Sequence, residues 1–126
     1  NSDKSELSHW PIQLKLIKTS SQIFENAHLL IAADCTAYAY KDFHIDFIKD
    51  HVTTIGCPKL DDAEFYKKKL IEIFKNSNIK SVKVVKMSVP CCNGISIIVK
   101  EALKEVNKDI PYSEVTIDID GTIEAN

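Results

Sequence analysis

Four cysteines carry most of the chemical potential of this chain: Cys35, Cys57 and the tandem Cys91-Cys92. Thiolates ligate soft metals, hold iron–sulfur clusters and exchange disulfides. Each cysteine follows an apolar run. Cys35 comes after Leu29-Leu30-Ile31-Ala32-Ala33-Asp34, Cys57 after Val52-Thr53-Thr54-Ile55-Gly56, and Cys91-Cys92 after Val82 to Met87 and the loop Ser88-Val89-Pro90. If the runs are neighbouring parallel strands, four thiols from three loops face one crevice beyond the strand ends, where α/β sheets bind ligands. Gly56 and Gly94 permit close backbone approach there, and Pro58 and Pro90 stiffen the loops. Cys92-Asn93-Gly94 opens a helix whose first amides favour a thiolate, which makes Cys92 the expected low-pKa thiol.

A single cysteine at a strand end is most often just a small buried residue. Four at equivalent positions call for a shared purpose. Structural zinc sites bring ligands in close pairs such as C-x-x-C, a spacing missing here, whereas an iron–sulfur cluster has a larger body that collects distant ligands. The cysteine pattern therefore predicts a 4Fe–4S cluster on Cys35, Cys57, Cys91 and Cys92, serving redox or electron-transfer chemistry. The alternatives are a structural zinc ion on the same thiols, or a thiol-based docking or redox domain without metal. Whether the domain is an enzyme stays open.

The elements that must position these residues read as strands alternating with helices. Ile12–Ile17 is strand-like, and Ser20 or Ser21 suits a cap. His28–Ala33 is a continuous apolar run, as expected of a strand covered on both faces. A short helix is predicted over Asp42–Asp50, with Phe43 and Phe47 inward, and a strand over Val52–Ile55. Asp61-Asp62-Ala63-Glu64 has capping-box spacing, and the helix after it carries the stripe Ala63, Tyr66, Leu70, Ile73, Phe74. Ser81–Met87 is a strand. Ile95, Ile98, Val99, Ala102, Leu103 and Val106 mark a one-faced helix, and Val115–Ile119 a last strand. This alternation predicts a three-layer α/β/α fold with a mainly parallel, four- to five-stranded sheet.

Composition narrows the function classes. The 126 residues are 44% apolar and 27% charged, in the range of an ordinary globular domain. The net charge is −2, and all 16 basic residues are lysines. Without arginine forks or a basic surplus, nucleic acid is not an expected partner. Glycine occurs only at 56, 94 and 121, so neither G-x-G-x-x-G nor a Walker loop can be written. No run approaches the roughly 20 apolar residues that cross a bilayer, and the chain reads as cytoplasmic with no membrane partner. The opening Asn1-Ser2-Asp3-Lys4 and the lone Met87 suggest a piece of a longer protein, with residues 1–8 a linker remnant and 9–126 one domain.

Other candidates have plainer readings. His44 is a possible outer group near the thiols, but a surface histidine is the favoured reading. Trp10 reads as a core or lid aromatic. Asp61 and Asp62 are explained by helix capping, and Asp34 as a loop-forming residue bonded to backbone or to Thr36.

Longer strings carry a resemblance. Ser5-Glu6-Leu7-Ser8-His9-Trp10-Pro11-Ile12-Gln13-Leu14, Ala32-Ala33-Asp34-Cys35, Asp42-Phe43-His44-x-Asp46-Phe47, Gly56-Cys57-Pro58-Lys59-Leu60-Asp61-Asp62 and Val89-Pro90-Cys91-Cys92-x-Gly94 resemble the C-terminal domain of a family of anaerobe iron–sulfur proteins. The resemblance implies an N-terminal ferredoxin-type domain that this chain lacks, cluster ligation by Cys35, Cys57, Cys91 and Cys92, and as partner either that tethered ferredoxin domain or a separate redox protein. It implies no particular reaction.

Overall fold

The computed structural model describes residues 4–124. Four strands form one all-parallel sheet in the order β2-β1-β3-β4. They are β1 (His28–Ala33), β2 (Val52–Gly56), β3 (Ser81–Met87) and β4 (Tyr112–Ile117). Leu29 to Ala33 of β1 are all buried, which is why that stretch carries no polar alternation. The register sets Ala33 beside Gly56 and Ala32 beside Val85, so the chain leaves β1, β2 and β3 at one edge.

Right-handed crossovers then decide the layers. The step from β1 to β2 runs opposite to the steps from β2 to β3 and β3 to β4, so its connection lies on the other face. That connection holds the short helix α1 (Thr36–Ala39) and a π-helical turn, His44–Ile48. The opposite face carries α2 (Ala63–Asn76) and α3 (Asn93–Val106), packed against each other. Phe43 and Phe47 are buried as their spacing predicts, but the backbone between them winds wider than an α-helix. In α2 the buried residues are Tyr66, Leu70, Ile73 and Phe74, and in α3 they include Ile95, Ile98, Val99 and Ala102. Removing each large side chain of these stripes from water contributes about 1.5–3 kcal/mol. Asn107 ends α3 in the left-handed conformation that stops a helix.

Three expectations change. Ile12–Ile17 is not a full strand: only Gln13 bridges to Ile55, and the chain then turns. The reason is local, since Leu14 and Ile17 are both buried but three residues apart, a turn's spacing and not a strand's. The last strand begins at Tyr112 and stops at Ile117, because the chain reverses and Ile123 returns antiparallel to Ile117. Trp10 is 77% exposed and belongs neither to the core nor to a closed lid.

The segment before β1 straps the β2 edge. The Ile55 amide donates to the Ile12 carbonyl and the Leu14 amide to the Ile55 carbonyl, both at 2.9 Å. The Thr53 amide donates to His9 Nε2 at 3.1 Å. Edge amides that would otherwise await another strand are thereby occupied. Lys69 of α2 pins the same strap, donating to the carbonyls of Leu14, Lys15 and Ile17 at 2.9, 2.8 and 2.6 Å.

Candidate thiol site at the carboxyl edge of the sheet

Strand order 2-1-3-4 reverses direction between β1 and β3, and the crevice beyond the strand ends at that point is where such sheets take ligands. Cys35 follows β1 and precedes α1, Cys57 follows β2, and Cys91-Cys92 lie in a 3-10 turn, Pro90–Cys92, that runs into α3. All four are unpaired thiols. The strand-end placement read from the apolar runs is therefore met. Burial separates them: Cys92 is buried, Cys57 half-buried, Cys35 and Cys91 exposed.

Cys57, Cys91 and Cys92 are brought together. Burial pushes the Cys92 thiol above its ordinary value, the Met87 backbone pulls it back, and the neighbouring Cys91 and Cys57 push it up again. Cys92 is thus not the exposed, acidified thiol that its place before a helix suggests, because desolvation outweighs the helix amides. Cys35 stands at the head of α1, where the chain turns toward the opposite face of the sheet. A groove of about 420 Å³ runs beside the cluster, lined by Pro58, Ala63, Cys91, Gly94, Ile97 and Ile98 among others. Gly94 borders it, and a β-carbon there would stand in ordinary contact with Pro58 at 3.6 Å.

A second constellation lies beside the thiols. The Tyr66 hydroxyl donates to an Asp61 carboxylate oxygen in a short bond and accepts from the Cys57 amide at 3.3 Å. Burial and the bond to Asp61 raise the phenol well above its ordinary value. Gly56 makes this contact possible: a β-carbon there would come within 2.8 Å of the Tyr66 ring and hydroxyl. Burial, then Asp61, pushes the Asp34 carboxyl upward, with Gln13 opposing, and one Asp34 oxygen is buried without a partner.

The capping assignment changes accordingly. Asp62, not Asp61, caps α2, its carboxylate accepting from the amides of Glu64 and Phe65 at 3.0 and 3.4 Å. Glu64 then falls on the second helical position and cannot close a capping box. Asp61 is left for Tyr66. Thr36 does not hold Asp34 either, as its hydroxyl donates to the Ala33 carbonyl at 2.8 Å. The one sequence signal for the tyrosine network was Tyr66 itself, a phenol in an otherwise apolar stripe whose hydroxyl needs a partner when buried. His44 lies on the surface and accepts from the Glu6 amide at 3.1 Å, in keeping with the plainer reading.

Comparison with known proteins corrects the resemblance to anaerobe iron–sulfur proteins. The family model that matches covers residues 21–126 and describes a Rossmann-like domain. A relative from Archaeoglobus fulgidus, described as an uncharacterized protein, is 29% identical over 119 residues, spanning 94% of this chain and 84% of its own length. No solved structure matches. Neither match points to a ferredoxin-type family. Among the described residues, no group of three or more His, Cys, Asp or Glu side chains is spaced to hold a metal ion. The physical reason is that the quoted cysteine, glycine and proline strings occupy strand ends and helix starts, where any parallel α/β sheet needs small and turn-forming residues. With residues 21–126 matched and a parallel sheet flanked by helices on both faces, the chain belongs to the Rossmann-like domain family.

Proposed function

We propose that Cys35, Cys57, Cys91 and Cys92 hold a 4Fe–4S cluster and that the domain is a redox or electron-transfer module. The observation that carries this reading is that both Cys91 and Cys57 lie close enough to Cys92 at the carboxyl edge to act on its thiol. Cys35 follows β1, the strand between β2 and β3, and is the fourth donor the proposal calls on. The missing C-x-x-C pairing favours a body several ångströms across over a single structural zinc ion. The raised Cys92 thiol disfavours a metal-free nucleophile, whereas a bound metal deprotonates its own ligand. A redox protein is the partner class that follows.

Anaerobic reconstitution with ferrous iron and sulfide tests the proposal. The expected result is about four irons per chain with visible charge-transfer absorption, lost in the variant with all four cysteines changed to serine. Equal iron uptake by that variant overturns it. About one zinc per chain with no iron loading replaces it by the zinc reading. Failure to take either metal, together with a reversible disulfide among Cys57, Cys91 and Cys92, replaces it by the metal-free thiol reading.

A further inference from the structure

The two edges of the sheet are finished differently. On the β2 side the strap occupies the outward amide and carbonyl of Ile55, and His9 takes the amide of Thr53. The first half of β4 has no such cover. The Val82 amide donates to the Pro111 carbonyl and the Ser88 amide to the Ile117 carbonyl, both at 2.9 Å, so the odd-numbered residues turn their backbone groups toward β3. Those of Tyr112, Glu114 and Thr116 then point away from the sheet, because the direction alternates along a strand. The Thr116 carbonyl is taken by the Glu124 amide at 2.8 Å. Among the described residues, nothing meets the outward amides and carbonyls of Tyr112 and Glu114. An open edge of this kind is a template for another strand.

The sequence of β4 selects what pairs there. A two-fold axis beside it brings in the same strand of a second copy, running antiparallel, with even-numbered residues meeting as hydrogen-bonded partners. Glu114 opposite its own copy sets two carboxylates against each other and needs the Thr116 carbonyl, which is in use. Tyr112 opposite its own copy needs the Ile110 amide, which already donates to the Lys108 carbonyl at 3.1 Å. Tyr112 opposite Glu114 of the second copy has neither fault. Every outward amide and carbonyl of these two residues then finds a partner, Ser113 meets its copy on the axis, and Val115 lies against Pro111. Glu114 is paired within its own chain by Lys86 and Lys100, each at 3.3 Å, so no bare charge is brought to the joint. The net charge of −2 per chain adds little repulsion. Because the β2 edge is already strapped, pairing through β4 closes at two copies and does not continue into a filament.

We propose that β4 pairs antiparallel with β4 of a second copy, Tyr112 of each facing Glu114 of the other, in a two-fold dimer whose continuous sheet takes four strands from each chain. The proposal is independent of the thiols and of what they bind.

Sedimentation equilibrium of the full chain over a range of concentrations tests the association, and cysteine cross-linking tests the register. The mass should rise from one chain to two and no further. Ser113→Lys, at an exposed position, should leave thermal unfolding unchanged and weaken association about tenfold or more, because it puts two like charges face to face on the axis. Residues that meet between the bonded pairs have Cα atoms about 4.5 Å apart, within disulfide reach. Mild oxidation of Ser113→Cys should therefore join position 113 of two copies, identified by peptide mass spectrometry, faster than oxidation of Val115→Cys joins position 115. A single-chain mass at every concentration would overturn the dimer and leave the edge to an extended segment of another protein. An undiminished dimer in the folded Ser113→Lys variant, or equal cross-linking at 113 and 115, would overturn it as well.

Discussion

Tyr66 holds two loops with one hydroxyl, and that atom is the most informative single target beside the thiols. Tyr66→Phe leaves the Asp61 carboxylate and the Cys57 amide without their partner, so urea unfolding should show a loss of about 1–3 kcal/mol. Glu114 gives a pH signature. Burial alone would raise its carboxyl, but bonds from Tyr112, Lys100 and Lys86 outweigh it and lower the value below the ordinary 4.5. A carboxyl depressed on folding adds stability above its unfolded value and loses it as pH falls through the folded one. Acid titration should therefore show stability falling below about pH 4.5, and Glu114→Gln should flatten that part of the curve. At this scale the cysteines were legible because strand ends announce themselves in the apolar runs. The Asp61–Tyr66 bond was not, since two adjacent aspartates before a helix are equivalent caps until the first turn is built.

Elements with strong periodicity were read closely. His28–Ala33 and Ser81–Met87 have the bounds expected of them, and the inner faces of α2 and α3 follow their stripes. The irregular pieces escaped, because a π-helical turn at His44–Ile48 and a single bridge at Gln13 leave no repeat to detect. Two substitutions separate the roles within the β2–α2 unit. Asp62→Ala removes the helix cap and should cost about 0.5–2 kcal/mol with the thiol region unchanged. Gly56→Ala drives a methyl into the Tyr66 ring, which Asp61 holds in place, and should cost about 1–3 kcal/mol. It should also shift the Cys57 amide resonance, an effect that loss of the cap does not produce.

Over the whole molecule, the parallel three-layer architecture was readable from the alternation of strands and helices, while the strap was not, because its hold comes from a lysine 55 residues away from Leu14. Lys69→Ala should free the strap, and native-state hydrogen exchange should then quicken at the Leu14 and Ile55 amides while those of β1 and β3 stay protected. The strand order has a consequence for synthesis. Within this sheet β1 is the first strand to be made yet one of the two interior strands, and it pairs first with β2, the next strand made. Its other side, an apolar parallel edge, waits until β3 has emerged some fifty residues later. A nascent chain paused between α2 and β3 thus presents its most hydrophobic strand half-paired, and at an elongation pace of about 5–20 residues per second that window lasts seconds. Slow decoding there should promote aggregation, whereas the same pause after β4 should be harmless.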